Sequence, residues 1–187
     1  MGFFDDEENV ESYIKMVEGE DGAALVELLA RHLDKGATVL ELGMGPGTDL
    51  ELLAKHFDVT GSDVSSLFVG RYLTRHPESD VMLLDAVKMD TDRRFDAIYS
   101  NKVLQHLPTP DAARSIVAQH RVLNTNGIAM HSLWYGNSGE EHHGLLFQQY
   151  TLKTFGELIT DHFDVVESER YREIEADDSL YVVLRAL

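Results

Sequence analysis

The chain reads as an α/β fold, a doubly wound, mostly parallel sheet of seven strands with an antiparallel last strand and helices on both faces. Three observations predict it. Short apolar runs alternate five times with helical stretches, the pattern of a parallel sheet built from strand–helix–strand units. The tail then holds two strand-like runs with no helix between them, a connection suited to an antiparallel pair. Length also fits: seven strands of ~6 residues, six helices of ~11 and twelve connections of ~5 sum to about 170. Of the 187 residues this leaves about 20, matching an acidic helical or lid segment at 1–20 before one domain at 21–187.

The elements follow in order. Asp21 is a candidate N-cap for a helix with the stripe Leu25, Leu28, Leu29, His32 and Leu33, and Gly36 stands beyond its end. Residues 38–42 form a short apolar strand. Thr48 then caps a helix carrying Leu50, Leu53, Ala54 and Phe57 on one face. Residues 58–63 read as a strand, 65–75 as a helix, 80–84 as a strand and 94–101 as another. Thr109 with Pro110 opens the next helix, which carries Ala113, Ile116, Val117 and His120. Residues 124–127 are a turn, 128–134 a strand and 151–162 a helix striped by Leu152, Phe155, Leu158 and Ile159. The closing strands span 163–171 and 179–186.

Charge narrows the function. Lys plus Arg number 16 against 33 Asp plus Glu, a formal charge of −17. Such a chain is repelled by a phosphate backbone and by anionic membrane surfaces, so neither nucleic acid nor membrane is an expected partner. The absence of cysteine removes disulfides, thiolate metal sites and a cysteine nucleophile. The first residues are acidic where a signal peptide is basic, and no ~20-residue apolar run occurs. The expectation is a cytoplasmic protein, monomer or homodimer. Residues 1–21 hold eight acids against the single base Lys15, a segment expected to be solvated surface.

The most informative stretch is Glu41-Leu42-Gly43-Met44-Gly45-Pro46-Gly47-Thr48. It joins an apolar strand to a helix, at a strand end where open α/β sheets bind ligands. Asp63 ends the next strand, where a carboxylate can accept hydrogen bonds from a ribose diol. A dinucleotide loop, G-x-G-x-x-G, would need its third glycine at position 48, which is Thr48. Pro46 lacks the N–H that a pyrophosphate would use. Glu41, two residues before the first glycine, suits a ligand carrying an ammonium and a sulfonium. S-adenosylmethionine (SAM) is therefore favoured over NAD.

These segments resemble the class I SAM-dependent methyltransferases. Residues 39–48 look like their first motif and 61–65 like the end of their second strand. Residues 83–87 resemble the stretch after the third strand, 95–107 the fourth-strand motif, and 177–186 the closing antiparallel strand. The resemblance implies a Rossmann-like sheet and SAM as cofactor, with S-adenosylhomocysteine as product. It also implies that Gly43, Met44, Gly45 and Gly47 cradle the methionine and ribose portion, with Glu41 near the amino group. Asp63 would bind the ribose hydroxyls and Val64 would lie against the adenine. Asp85 would accept from the adenine amino group, Ala86 would supply backbone contacts, and Ser100 and Asn101 would flank the methionine end. Tyr13 resembles an N-terminal aromatic that closes over SAM.

A sulfonium methyl is already activated, so the protein mainly aligns an in-line displacement, with a base needed only for a protonated acceptor. Candidates follow the fourth and fifth strands. His106 is the candidate base, and Lys102 can pair with an anionic substrate group or form an internal salt bridge. His131, Trp134 and His142 are candidate substrate residues. The glycine-rich segment 136–144, which includes His143, reads as a mobile lid. Adjacent histidines 142 and 143, eleven residues from His131, lack the spacing of a metal site, so no metal is expected. Asn101 is followed by Lys-Val-Leu rather than the Pro-Pro-aromatic clamp of enzymes acting on nucleic-acid bases, which leaves a small molecule as the expected acceptor. Two alternatives stand beside this reading, a NAD-dependent oxidoreductase and a SAM-binding module without catalysis.

Overall fold

The computed structural model describes residues 2–142, 144–159 and 161–187. A 3-10 turn at Phe3–Asp5 leads into α1 (Glu7–Met16) and α2 (Ala23–Leu29). Strand β1 (Thr38–Leu42) is followed by α3 (Thr48–Leu53), β2 (Asp58–Asp63), α4 (Ser66–Arg75) and β3 (Val81–Leu83). Next come β4 (Phe95–Asn101), a 3-10 turn at Leu104–His106, α5 (Thr109–Val122) and β5 (Leu123–Trp134). The chain ends with β6 (Gly139–His142), β7 (Leu145–Gln148), α6 (Leu152–Ile159), β8 (Phe163–Tyr171) and β9 (Ser179–Ala186). Among the described residues the main sheet has seven strands in the order β3-β2-β1-β4-β5-β9-β8, with β9 antiparallel to both neighbours. This is the seven-stranded, Rossmann-like sheet that the alternation and the tail imply. No helix among the described residues is long and apolar enough to cross a membrane.

Both faces of the sheet are buried, and residue alternation assigns each side chain to one of them. Leu40, Ile98, Ala129 and Val182 pack with Phe155 of α6 on one face. Val39, Ala97, Met130 and Val183 pack with Leu25 and Leu29 of α2 on the other. Chain order reverses between β1 and β4, which pair in parallel with Glu41 beside Tyr99. The crevice at their carboxyl ends is where this topology places a ligand.

Several local expectations change. Gly22, not Asp21, is the α2 N-cap, because Asp21 instead accepts the Ala23 N–H at 3.0 Å. The helix also stops at Leu29, short of Leu33. Gly47 caps α3 with φ of 91°, a left-handed turn that leaves Thr48 as the first helical residue. Pro108 takes the cap position before α5, putting Thr109 inside the helix. Residues 124–127 belong to β5 rather than to a separate turn. The expected lid at 136–144 contains a strand, β6, paired antiparallel with β7 as a two-stranded ribbon. His143 lies outside the described residues.

Candidate active site

The glycine loop fills the crevice. Gly43, Gly45 and Gly47 adopt φ values of 65°, 51° and 91°, a region that other residues rarely tolerate. A Cβ at Gly43 would press on Val103 and one at Gly47 would overlap the Tyr72 ring. At Gly45 the Tyr13 ring lies 3.6 Å from where a Cβ would sit. Met44 turns inward to pack with Leu50 and Tyr72, while its backbone follows the loop.

Three buried carboxylates lie around this loop: Glu41, Asp49 and Asp63. Asp63 accepts the Gly45 N–H at 3.0 Å on one oxygen and the Ser65 N–H at 2.8 Å on the other. Burial raises its pKa, opposed by those backbone donors. The Val64 N–H acts on the same carboxylate, which leaves acceptor capacity for a further donor. Asp49 accepts from the Gly22 N–H at 2.7 Å, the Tyr99 hydroxyl at 2.8 Å and the Asn101 amide at 3.0 Å. Glu41 is different, since its Oε2 is buried without a partner. Burial, with Asp49 and Asp63 nearby, pushes its pKa well above the usual carboxylate range.

A cavity of about 320 Å³ runs from the glycine loop to the segment after β4. Its walls include Tyr13, Glu41, Asn101, Lys102, His106 and Trp134. Tyr13 is held by Phe4 and Phe68, with ring centroids 5.2 and 5.8 Å away. Burial and the nearby Asp63 and Asp49 push its hydroxyl pKa up to about 12, so it stays neutral. The N-terminal segment is tied down by the Ser65 hydroxyl, which donates to the Phe4 carbonyl at 2.6 Å, and by Arg71 to Glu11 at 2.6 Å.

Lys102 is an internal ion-pair partner. Its ammonium lies 2.9 Å from Glu173, donates to Ser179 Oγ at 2.7 Å and to the Leu133 carbonyl at 3.1 Å, and sits 3.8 Å from the Trp134 ring centroid. His106 donates Nδ1–H to the Leu146 carbonyl at 2.6 Å, and burial lowers its pKa. This leaves Nε2 as the lone-pair nitrogen, with the Gln105 amide 3.4 Å away. Val64 is 62% exposed beside the crevice. Asp85 accepts the Val87 N–H at 2.8 Å and pairs with Lys88 at 3.4 Å, and Ala86 follows it, half-buried.

Of the sequence candidates, Gly47, Asp63, Val64, Asp85 and Ala86 do not line this cavity, and neither do Ser100, His131 and His142. His131 and Ser100 share a hydrogen bond of 2.8 Å between Nδ1 and Oγ and are fully buried on the α6 face. Strand parity is the reason: 129, 131 and 133 face one side, and 98 and 100 face the same side. Glu41, Asn101 and Trp134 have the opposite parity and line the cavity, and Tyr99, of the same parity, is buried in the core under α2. His142 is exposed on the ribbon and pairs with Glu140 at 2.9 Å. Among the described residues no group of three His, Asp or Glu side chains is placed to hold a metal. Sequence reasoning missed Asp49 and Glu173. Asp49 could have been noticed as an acid four residues before Leu53, on the buried side of α3.

Burial holds His131 neutral, lowering its pKa from 6.5 to about 3. The unfolded chain therefore binds this proton first, and its contribution to stability is lost as pH falls from about 6.5 towards 3. His131→Leu should flatten the dependence of unfolding free energy on pH between 6 and 4.5 by up to about 1.4 kcal/mol per pH unit, one proton's worth. Urea unfolding at four pH values measures this; parallel wild-type and variant slopes would show that His131 titrates normally.

Comparison with known proteins places this arrangement. Residues 39–127 match the family model described as "Methyltransferase domain". Over this stretch, a little under half of its length, the chain is similar to a methyltransferase domain. The match runs from β1 and the glycine loop through β4 to the first residues of β5. The domain is similar to trans-aconitate 2-methyltransferase of Methylobacterium radiotolerans, 37% identical over 95 residues, which are 49% of this chain and 36% of that protein. The enzyme of that name from Azoarcus sp. is 33% identical over 122 residues, 63% of this chain and 47% of that protein. The chain thus spans less than half the length of these curated relatives. Of solved structures, Burkholderia thailandensis 1,6-didemethyltoxoflavin-N1-methyltransferase, with 1,6-didemethyltoxoflavin and S-adenosylhomocysteine bound, superposes with a TM-score of 0.79 at 23% identity. That match covers 96% of this chain and 85% of the other. A TehB-like SAM-dependent methyltransferase from Corynebacterium glutamicum gives 0.78 at 18% identity, covering 97% and 100%. At these identities the two structures show a shared fold.

Proposed function

We propose that this chain transfers a methyl group from SAM to a small-molecule acceptor. The observation that carries the reading is one cavity walled by the glycine loop and Glu41 at one end and by His106 and Trp134 at the other. A donor and an acceptor would meet there shielded from water. The site fits the cofactor's chemistry, because Glu41 Oε2 is a buried carboxyl oxygen lacking a partner among the described residues, and a bound cation would favour its ionised form. When bound, SAM supplies a methyl group activated by positively charged sulfur.

The protein's own groups bind and orient. Glu41 would hold the ammonium, Asp63 the ribose hydroxyls, Val64 would lie against the adenine, Asp85 would accept from the adenine amino group, and Ala86 would supply backbone contacts. Backbone groups of Gly43, Met44, Gly45 and Gly47 would line the methionine and ribose, with Tyr13 closing the opening. Asn101 belongs to the methionine end, its amide fixed by Asp49 and its carbonyl accepting from Ser132. Ser100 supports this wall from behind. His106, neutral and with Nε2 as acceptor, is the base available to a protonated acceptor. Lys102 anchors Glu173 and Trp134 at the acceptor end. The names of the curated relatives make trans-aconitate one acceptor to assay.

Asp63→Ala should weaken binding of SAM by roughly 1.5–3 kcal/mol, the scale of hydrogen bonds to a charged group. Titration calorimetry measures it. Unchanged affinity would remove Asp63 from the ribose site.

A further inference from the structure

We infer that the acceptor end of the cavity takes a small protonated amine, with the ammonium N–H directed at His106 Nε2. The inference rests on the methyltransferase reading above and narrows its acceptor to one chemical class. Among the described residues the basic side chains in the cavity wall are Lys102 and His106. An ammonium has three donors, and those of Lys102 are taken by Glu173, Ser179 and Leu133. His106 commits its Nδ1–H to Leu146 and is kept neutral by burial. An anionic acceptor would therefore enter without a free counter-charge, and burying an unpaired carboxylate costs several kcal/mol.

The same wall suits a cation. Glu20 and Asp21 line it with carboxylates that are not matched by a basic side chain of the wall, while Glu173 is already paired with Lys102. Trp134 and Phe147 contribute aromatic faces, to which cations are attracted. His106 lies edge-on to Phe147, with ring centroids 5.0 Å apart, so its orientation is set by packing as well as by Leu146. Among the described residues its Nε2 meets only the Gln105 amide, at 3.4 Å, a weak contact that a charged N–H would displace.

The chemistry closes on these groups. One ammonium proton passes to His106 Nε2, which restores the lone pair on the acceptor nitrogen. That pair forms the new nitrogen–carbon bond while the carbon–sulfur bond breaks and leaves its pair on sulfur. The products are a methylated ammonium and S-adenosylhomocysteine, and the His106 proton returns to solvent.

A matched pair of probes tests the charge. Protein saturated with S-adenosylhomocysteine is titrated calorimetrically with phenethylamine and with 3-phenylpropanoate, which share a body and differ in charge. Phenethylamine is expected to bind at least tenfold more tightly. Glu173→Gln, which frees Lys102, should abolish that preference, and His106→Phe should weaken the amine at least tenfold. Equal or tighter binding of 3-phenylpropanoate, or binding of neither probe at millimolar concentration, overturns the amine assignment. If S-adenosylhomocysteine itself does not bind, the underlying methyltransferase reading fails instead.

Discussion

Replacing Glu41 with Gln is expected to weaken SAM binding by about 1.5–3 kcal/mol, roughly 10- to 100-fold, while raising stability at neutral pH. The two effects share one cause. Glu41 is 3% exposed, its Oε2 has no partner, and Asp49 and Asp63 lie close enough to add repulsion. Ionising it in the free protein is unfavourable, and a bound ammonium supplies the missing counter-charge. The sign follows from linkage. The folded pKa is raised well above the usual 4.5, so the folded state holds this proton where the unfolded chain has released it. The associated stability is present below about pH 4.5 and is lost as pH rises through the raised folded value. Gln has no proton to lose, so its stability advantage should be larger at pH 8 than at pH 5. Urea unfolding at both values and titration calorimetry with SAM measure the pair of effects. A variant that binds SAM as tightly as wild type would show that the cation sits elsewhere.

Asp49→Ala is expected to destabilise the fold by about 3 kcal/mol or more and to release the N-terminal segment. The carboxylate receives three hydrogen bonds, from the Gly22 N–H, the Tyr99 hydroxyl and the Asn101 amide. Alanine leaves these donors in a buried place, each costing about 1–3 kcal/mol. Asp49→Asn should be milder, since the amide oxygen still accepts. The consequence reaches the site because Gly22 joins the segment bearing Tyr13 to α2, and Asn101 stands in the cavity wall. Lys15 is the single basic residue among 1–21, so brief trypsin treatment reads the release directly. Faster cleavage after Lys15, together with a lower urea midpoint, is the expected result. An unchanged midpoint with unchanged cleavage would mean that other contacts hold the segment.

The sheet and the glycine loop were legible because both depend on local pattern. Apolar runs alternating with helical stripes specify the parallel strands, and a tail lacking a helix specifies the antiparallel return. Glycines at 43, 45 and 47 announce a backbone that needs positive φ, and all three adopt it. The far end of the cavity was less legible. Residues 136–144 read as loop because glycines and glutamates carry no strand periodicity, yet Glu140 pairs with Phe147 and His142 with Leu145 in the ribbon. Lys102 offered two readings, a substrate partner or an internal ion pair, and Glu173, 71 positions later in the chain, selects the second.

By itself, then, the sequence determined the order of strands and helices, the left-handed glycine turns and the acids at the strand ends. These are matters of periodicity and backbone sterics over a few residues. Only the tertiary structure decided which face each strand residue took. Pairing register sends His131 and Ser100 beneath α6, and Glu41, Asn101 and Trp134 into the crevice. It also decided which charges were already neutralised: Lys102 by Glu173, with Asp49 satisfied by three donors and Glu41 left without one at Oε2. Burial and partnership are set by residues far apart in the chain, and they determine what charge a ligand meets.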